Sequence, residues 1–161
     1  RVSIARALCV EPEFIVLDEP TSALDVSVQS KILKLLERAK QSFHVSYMFI
    51  SHDINLVRAI SNRISVMYLG RIVEIGSTDE TFNNPFHPYT KALFASVPQP
   101  DPDISVEEPL TGEVPSPVNV PPGCPFAARC REVIGEICKK EKPKGITKNG
   151  RKVNCHIYKE N

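Results

Sequence analysis

Apolar positions along this chain change their period from segment to segment, and the changes predict its elements. Phe14, Ile15, Val16 and Leu17 are four consecutive apolar residues, two of them β-branched. They predict a short strand buried on both faces, as in a parallel sheet flanked by helices. The run ends at adjacent carboxylates, Asp18 and Glu19, and a turn-like segment then carries Asp25. After Asp25, a suitable N-cap, Val28, Ile32, Leu35, Leu36 and Ala39 recur at helical spacing and predict an amphipathic helix ending near Gln41. Its other face, with Lys31, Lys34, Arg38 and Lys40, reads as solvated. Residues 45–50, VSYMFI, predict a second buried strand that ends at Ser51, His52 and Asp53. Strand, helix and strand in this order predict a right-handed crossover with parallel strands. Asp18, Glu19 and His52 then share the carboxyl edge of the sheet, where open α/β sheets bind ligands. A short helix over 54–59 and two strands hinged near Gly70 within 63–76 complete this part. Ahead of it all, Ile4, Ala5, Leu8 and Cys9 share the apolar side of a predicted helix that already includes Arg1. A chain opening inside a helix, without Met, is expected to be a fragment.

Charge divides the rest. A chain of 161 residues with 42% hydrophobic composition can bury one core, and a net charge of +1 gives no reason to invoke nucleic acid. Residues 1–96 balance ten basic against ten acidic groups. Residues 97–123 hold five acidic groups, no basic one and eight of the 14 prolines. Such a stretch can form neither a helix nor a central strand and predicts an extended linker or a belt over the surface. Residues 124–161 carry ten basic groups against four acidic ones and form the third predicted segment. No apolar run approaches the roughly 20 residues of a bilayer span, and no signal peptide is recognisable. The chain therefore reads as cytosolic.

Three groups of residues are candidates for chemistry. Asp18 and Glu19 would repel each other unless a cation or a proton separates their roles, and a divalent metal on one with a water on the other does so; a capped turn before a helix is the structural alternative. His87, between Pro85 and Pro88, is held in an extended turn, a structural role preferred here over zinc ligation. Cys124, Cys130, Cys138 and Cys155 are separated by five, seven and sixteen residues. In a reducing compartment such a cluster more often binds metal than forms disulfides. These intervals fit neither the paired ligands of zinc fingers nor the tandem spacing of bacterial ferredoxins, so spacing leaves the metal open. The surrounding Lys and Arg are expected to favour thiolates. Cys9 reads as a small core residue.

The stretch FIVLDEPTSALD, residues 14–25, resembles the Walker B and D-loop segment of ATP-binding cassette (ABC) ATPases. His52 occupies the place of the family's histidine one strand later, and RVSIARAL at the start resembles the helix after the family's signature sequence. NPFHPYT, residues 84–90, is similar to the C-terminal extension of the oligopeptide and dipeptide importer ATPases. Gly123-Cys124-Pro125-Phe126 with Arg129-Cys130 resembles their four-cysteine pattern, which in some members holds a [4Fe-4S] cluster.

The resemblance implies an α/β fold, the C-terminal part of a P-loop (RecA-like) nucleotide-binding domain with parallel core strands. A proline-rich linker and a small cysteine-rich metal-binding extension would follow. It implies ATP and Mg²⁺ as ligands, with Asp18 holding the metal through water, Glu19 polarising the attacking water and His52 on the terminal phosphate. Asp25 would act across a dimer with a second ATPase subunit. The four cysteines would bind a [4Fe-4S] cluster, with zinc as the alternative. The implied partners are membrane permease subunits, and the implied location is the cytoplasmic face of the cell membrane, held peripherally. No glycine-rich phosphate loop occurs in the 161 residues, so the chain alone is expected to bind ATP weakly or not at all. A metal-binding interaction module on an ATPase remnant is the alternative of a different class. A chromosome-maintenance or DNA-repair ATPase would not be expected to carry NPFHPYT or the cysteines.

Overall fold

The structure, a computed structural model, describes residues 2–97, 112, 115, 116, 118 and 120–158. Most of the proline-rich segment predicted over 97–123 lies outside the described residues. The chain divides into two compact units, Arg1–Ser61 and Asn62–Asn161.

The first unit contains α1 (Val2–Leu8), β1 (Phe14–Asp18), α2 (Val26–Phe43), β2 (Ser46–Ile50) and α3 (Ile54–Ile60). β1 and β2 pair in parallel with Phe14 opposite Ser46 and Asp18 opposite Ile50. Asp25 caps α2 by accepting the Val28 backbone N–H at 2.9 Å. The left-handed residue His44 ends the helix. Ile32, Leu36 and Ala39 are buried on the predicted face of α2, and Ile32 and Leu36 meet Leu17, with Ile15, Tyr47 and Phe49 around them. The Tyr47 hydroxyl also donates to the Leu36 carbonyl at 3.1 Å.

The strands are not buried on both faces as predicted. Phe14 and Val16 are each 55% exposed, Met48 49% and Ile50 40%. Side chains of a strand alternate between faces. The face bearing Leu17 lies on α2, while the face bearing Phe14, Val16, Met48 and Ile50 stays open among the described residues.

The second unit holds a four-stranded antiparallel sheet ordered β3 (Arg63–Tyr68), β4 (Arg71–Ser77), β6 (Arg151–Asn154), β5 (Gly145–Lys148). Helices α4 (Thr78–Asn83), α5 (Pro88–Ala95) and α6 (Ile137–Lys140) accompany it. The predicted hinge is a two-residue loop in which Leu69 and Gly70 both have positive φ, 46° and 72°. That is the twist a tight hairpin needs. Asn149 and Gly150 repeat the device between β5 and β6, at 51° and 72°. β6, within the four-cysteine stretch, pairs with β4 near Glu74 and Ile75, so one sheet spans both sequence segments.

A buried charge organises this unit. Glu74 is fully buried and accepts the backbone N–H of Phe86 at 3.0 and 3.2 Å and that of His87 at 2.9 Å. The Arg151 guanidinium lies 3.7 Å from the Glu74 carboxylate and 3.5 Å above the centre of the Phe86 ring. It also donates to the carbonyls of Glu80 and Asn84, at 3.0 and 2.6 Å. Strand β4, the proline turn and the β5–β6 hairpin are thus fastened at one point.

Candidate functional site

In the first unit the parallel pairing brings the predicted carboxylates and histidine to one edge. β1 ends at Asp18, and the backbone N–H of Glu19 continues the ladder by donating to the Ile50 carbonyl at 3.0 Å. Glu19 has φ 45°, in the left-handed region, immediately before Pro20. Proline disfavours helical conformations in the residue before it, and non-glycine residues held at such φ values cost on the order of 1–3 kcal/mol. The turn is supported by the Ser22 backbone N–H and hydroxyl, which donate to the Glu19 carbonyl at 3.3 and 3.1 Å.

The kinked backbone leaves the Glu19 side chain 2.8 Å from Nδ1 of His52. Nδ1 carries the proton in this contact, so Nε2 is the nitrogen left to accept from, or when charged donate to, a ligand. Asp53, next in sequence, caps α3 through the Leu56 N–H at 3.1 Å and fixes the strand end from which His52 projects. His52 is the more open partner, with 79% of its side chain exposed against 37% for Glu19. The Glu19 hydrogen bond, and then its charge, raises the His52 pKa above the usual 6.5. The folded value therefore exceeds the unfolded one. The attraction is fully present below about pH 6.5 and is lost as pH climbs through the raised value. Proton NMR of the His52 ring is expected to give a midpoint above 6.5 that falls in Glu19→Gln; a midpoint at or below 6.5 in the unaltered protein would contradict the contact.

Asp25 stands apart from this contact as the cap of α2. Its Oδ1 accepts from the Ser27 hydroxyl at 2.6 Å as well as from Val28, and these bonds hold its pKa below the usual value.

In the second unit Cys124, Cys130, Cys138 and Cys155 line one cavity, together with His87 and Phe126. All four thiols are free, and three of these residues are buried. Cys124 also donates its backbone N–H to the Cys138 carbonyl at 2.8 Å. The Gly123 that precedes it lies against the Cys138 and Lys139 backbone, where a Cβ would collide. The expectation that nearby Lys and Arg favour thiolates is corrected for three of the four. Burial raises the pKa of Cys124 and Cys130 and takes Cys155 to about 11, with the neighbouring thiols adding to it. Desolvation is the largest influence on each of these sulfurs and outweighs the basic residues around them. Among the described residues no three His, Cys, Asp or Glu side chains converge as ligands of a single metal ion would.

The proline turn forms as its sequence predicts. His87 is 1% exposed, is the N-cap of α5 with Pro88 at the first helical position, and accepts the Tyr89 N–H on Nδ1 at 3.0 Å. Burial, followed by the charge of Lys91, lowers its pKa to about 4, so the ring is neutral. Sequence reasoning missed Glu74 and Arg151, the buried pair that holds this turn. The signal available was a carboxylate flanked by apolar residues within a strand, IVEIG.

The strand-end carboxylate pair, the histidine on the neighbouring parallel strand and the proline turn agree with the resemblance to ABC ATPases. This chain is homologous to the ATP-binding subunits of oligopeptide and dipeptide ABC transporters, and residues 73–138 match the family described as oligopeptide/dipeptide transporter, C-terminal region. It is 48% identical over 163 residues to the putative oligopeptide transport ATP-binding protein YkfD of Bacillus subtilis, covering 99% of this chain and 49% of the relative. To the oligopeptide transport ATP-binding protein OppF of Escherichia coli it is 49% identical, over 89% of this chain and 43% of that one. To the dipeptide transport ATP-binding protein DppF of the same organism it is 47% identical, over 96% and 46%. The chain thus spans about half the length of these curated relatives. No helix among the described residues is long and apolar enough to cross a membrane.

Proposed function

We propose that this chain is the C-terminal part of an ATP-hydrolysing subunit that drives oligopeptide or dipeptide uptake. The observation that carries the reading is the 2.8 Å contact between Glu19 and His52 at the ends of two parallel strands. Phosphoryl transfer depends chiefly on positioning and electrostatics. Glu19 orients and polarises the attacking water, and His52, with Nδ1 engaged by Glu19, presents Nε2 to the terminal phosphate. Asp18, an exposed oxygen donor at the strand end, suits a hard cation and would hold Mg²⁺ through its waters. Mg²⁺ bound there supplies neutralisation of phosphate charge. Asp25 acts across the interface with a second ATPase subunit.

The phosphate cradle is assigned to the part of the relatives' length that this chain does not span. That part would also cover the open face of Phe14, Val16, Met48 and Ile50. The assembly sits peripherally on the cytoplasmic face of the membrane beneath two permease subunits. We assign the four cysteines to a metal centre, a [4Fe-4S] cluster in preference to zinc. Four free thiols around one cavity support the assignment, and binding a metal would displace the protons that burial otherwise retains. Such a centre would staple a segment with few large apolar side chains. A metal-binding interaction module remains the second reading, favoured by the same cavity.

Magnesium-dependent ATP hydrolysis by the intact protein, assembled with its permease in vesicles and coupled to peptide uptake, is the expected result. Uptake that proceeds without any nucleotide consumption would overturn the reading.

A further inference from the structure

The proline turn brings to the cysteine cavity one polar group that the proposed function leaves unused. His87 lines that cavity and is 1% exposed. Its two ring nitrogens are in different positions. Nδ1 accepts the Tyr89 backbone N–H at 3.0 Å and so bears no proton. In a neutral imidazole the proton is then on Nε2, which is a donor and cannot act as a metal ligand. Nε2 has no hydrogen-bond partner among the described residues. A buried donor without an acceptor costs about 1–3 kcal/mol. The Tyr68 and Thr90 hydroxyls are also unpartnered, but a hydroxyl proton can rotate toward an acceptor and neither residue lines the cavity. The His87 ring cannot turn without giving up its cap on α5, and its backbone N–H is pinned by Glu74 at 2.9 Å.

We propose that His87 is a positioning residue of the cysteine pocket, its Nε2–H donating a hydrogen bond to a sulfur of the centre the four cysteines hold. The inference rests on the reading of those cysteines as iron-sulfur ligands. A sulfur that carries negative charge is the acceptor that would satisfy this donor, since the other polar side chains of the cavity wall, Glu132 and His156, are already engaged by Lys91 and by the Glu141 carbonyl. Hydrogen bonds to cluster sulfurs stabilise the more negative, reduced state and so raise the reduction potential.

Two substitutions separate this role from the capping role. His87→Asn keeps an acceptor where Nδ1 stands, and Asn is a favoured N-cap, but it removes the distal N–H. His87→Gln places an N–H near the position of Nε2 and gives up the cap. The intact protein and both variants are purified without oxygen, analysed for iron and visible absorption, and titrated potentiometrically. His87→Asn is expected to keep the iron content while its reduction equilibrium weakens about tenfold, a shift of about 59 mV to more negative potential for one electron. His87→Gln is expected to recover most of that shift even where its thermal stability is lower. An unchanged potential in iron-loaded His87→Asn overturns the donor role and leaves the cluster standing. Unaltered protein with neither iron nor the broad visible absorption of thiolate-bound iron, or with zinc in its place, overturns the cluster reading and this inference with it.

Discussion

Glu19→Gln in the intact protein is expected to lower ATP turnover by about 10²- to 10⁴-fold, the usual contribution of a general base, with nucleotide binding retained. The amide keeps the size and shape of the carboxylate and can still accept from His52, so the strand end has no reason to rearrange. What is lost is the ability to draw a proton from water. The backbone of Glu19 makes this a sharper experiment than at an ordinary turn. Its N–H extends the ladder to Ile50 and its carbonyl takes two bonds from Ser22, all of them main-chain features that the substitution leaves alone. Single-turnover phosphate release and equilibrium binding of a nucleotide analogue measure the two halves of the prediction. Turnover within a few-fold of the unaltered protein would remove Glu19 from the chemistry.

Removing either partner of the buried Glu74–Arg151 pair is expected to destabilise the protein by about 3–5 kcal/mol, since the remaining charge stays in the interior without its counterpart. Glu74→Ala also strands the N–H groups of Phe86 and His87, and Arg151→Met strands the carbonyls of Glu80 and Asn84. The Lys91–Glu132 pair is the internal comparison. It is as short as 2.9 Å, yet its side chains are 41% and 42% exposed, so water screens it and Lys91→Met should cost no more than about 1 kcal/mol. Denaturant unfolding of the variants reads both quantities. The assignment of the pair as a structural hub fails if Glu74→Ala costs no more than Lys91→Met.

The parts of this architecture governed by local rules could be read directly from the chain. Asp25 as a cap, the face of α2 that buries Ile32 and Leu36, the parallel pairing of β1 with β2 and the bend near Gly70 each follow from a short pattern. The proximity of Glu19 to His52 follows in turn from that pairing. Two features were overestimated for identifiable reasons. Continuous apolar runs suggested strands covered on both faces, but in β1 only the alternate residues Ile15 and Leu17 meet α2. Basic residues close to the cysteines in sequence suggested ionised thiols, whereas burial governs them. The β5–β6 hairpin was legible and overlooked, since Asn149-Gly150 between alternating segments is a strong hairpin signal. The pairing of β6 with β4 was not legible, because nothing in a single sequence marks which distant strand an edge will find.

The Arg151 contact also imposes an order of events on the newborn chain. Chains emerge from the ribosome N-terminus first. The Glu74 carboxylate, the proline turn with its two N–H groups and the carbonyls of Glu80 and Asn84 are all made long before the guanidinium that completes them. Until the β5–β6 hairpin emerges, this corner holds a carboxylate that cannot be sealed from water, so the second unit must close after it. A premature stop codon ahead of residue 151 would therefore do more than shorten the protein: it would strip the later-made part that lets an earlier-made part become an interior.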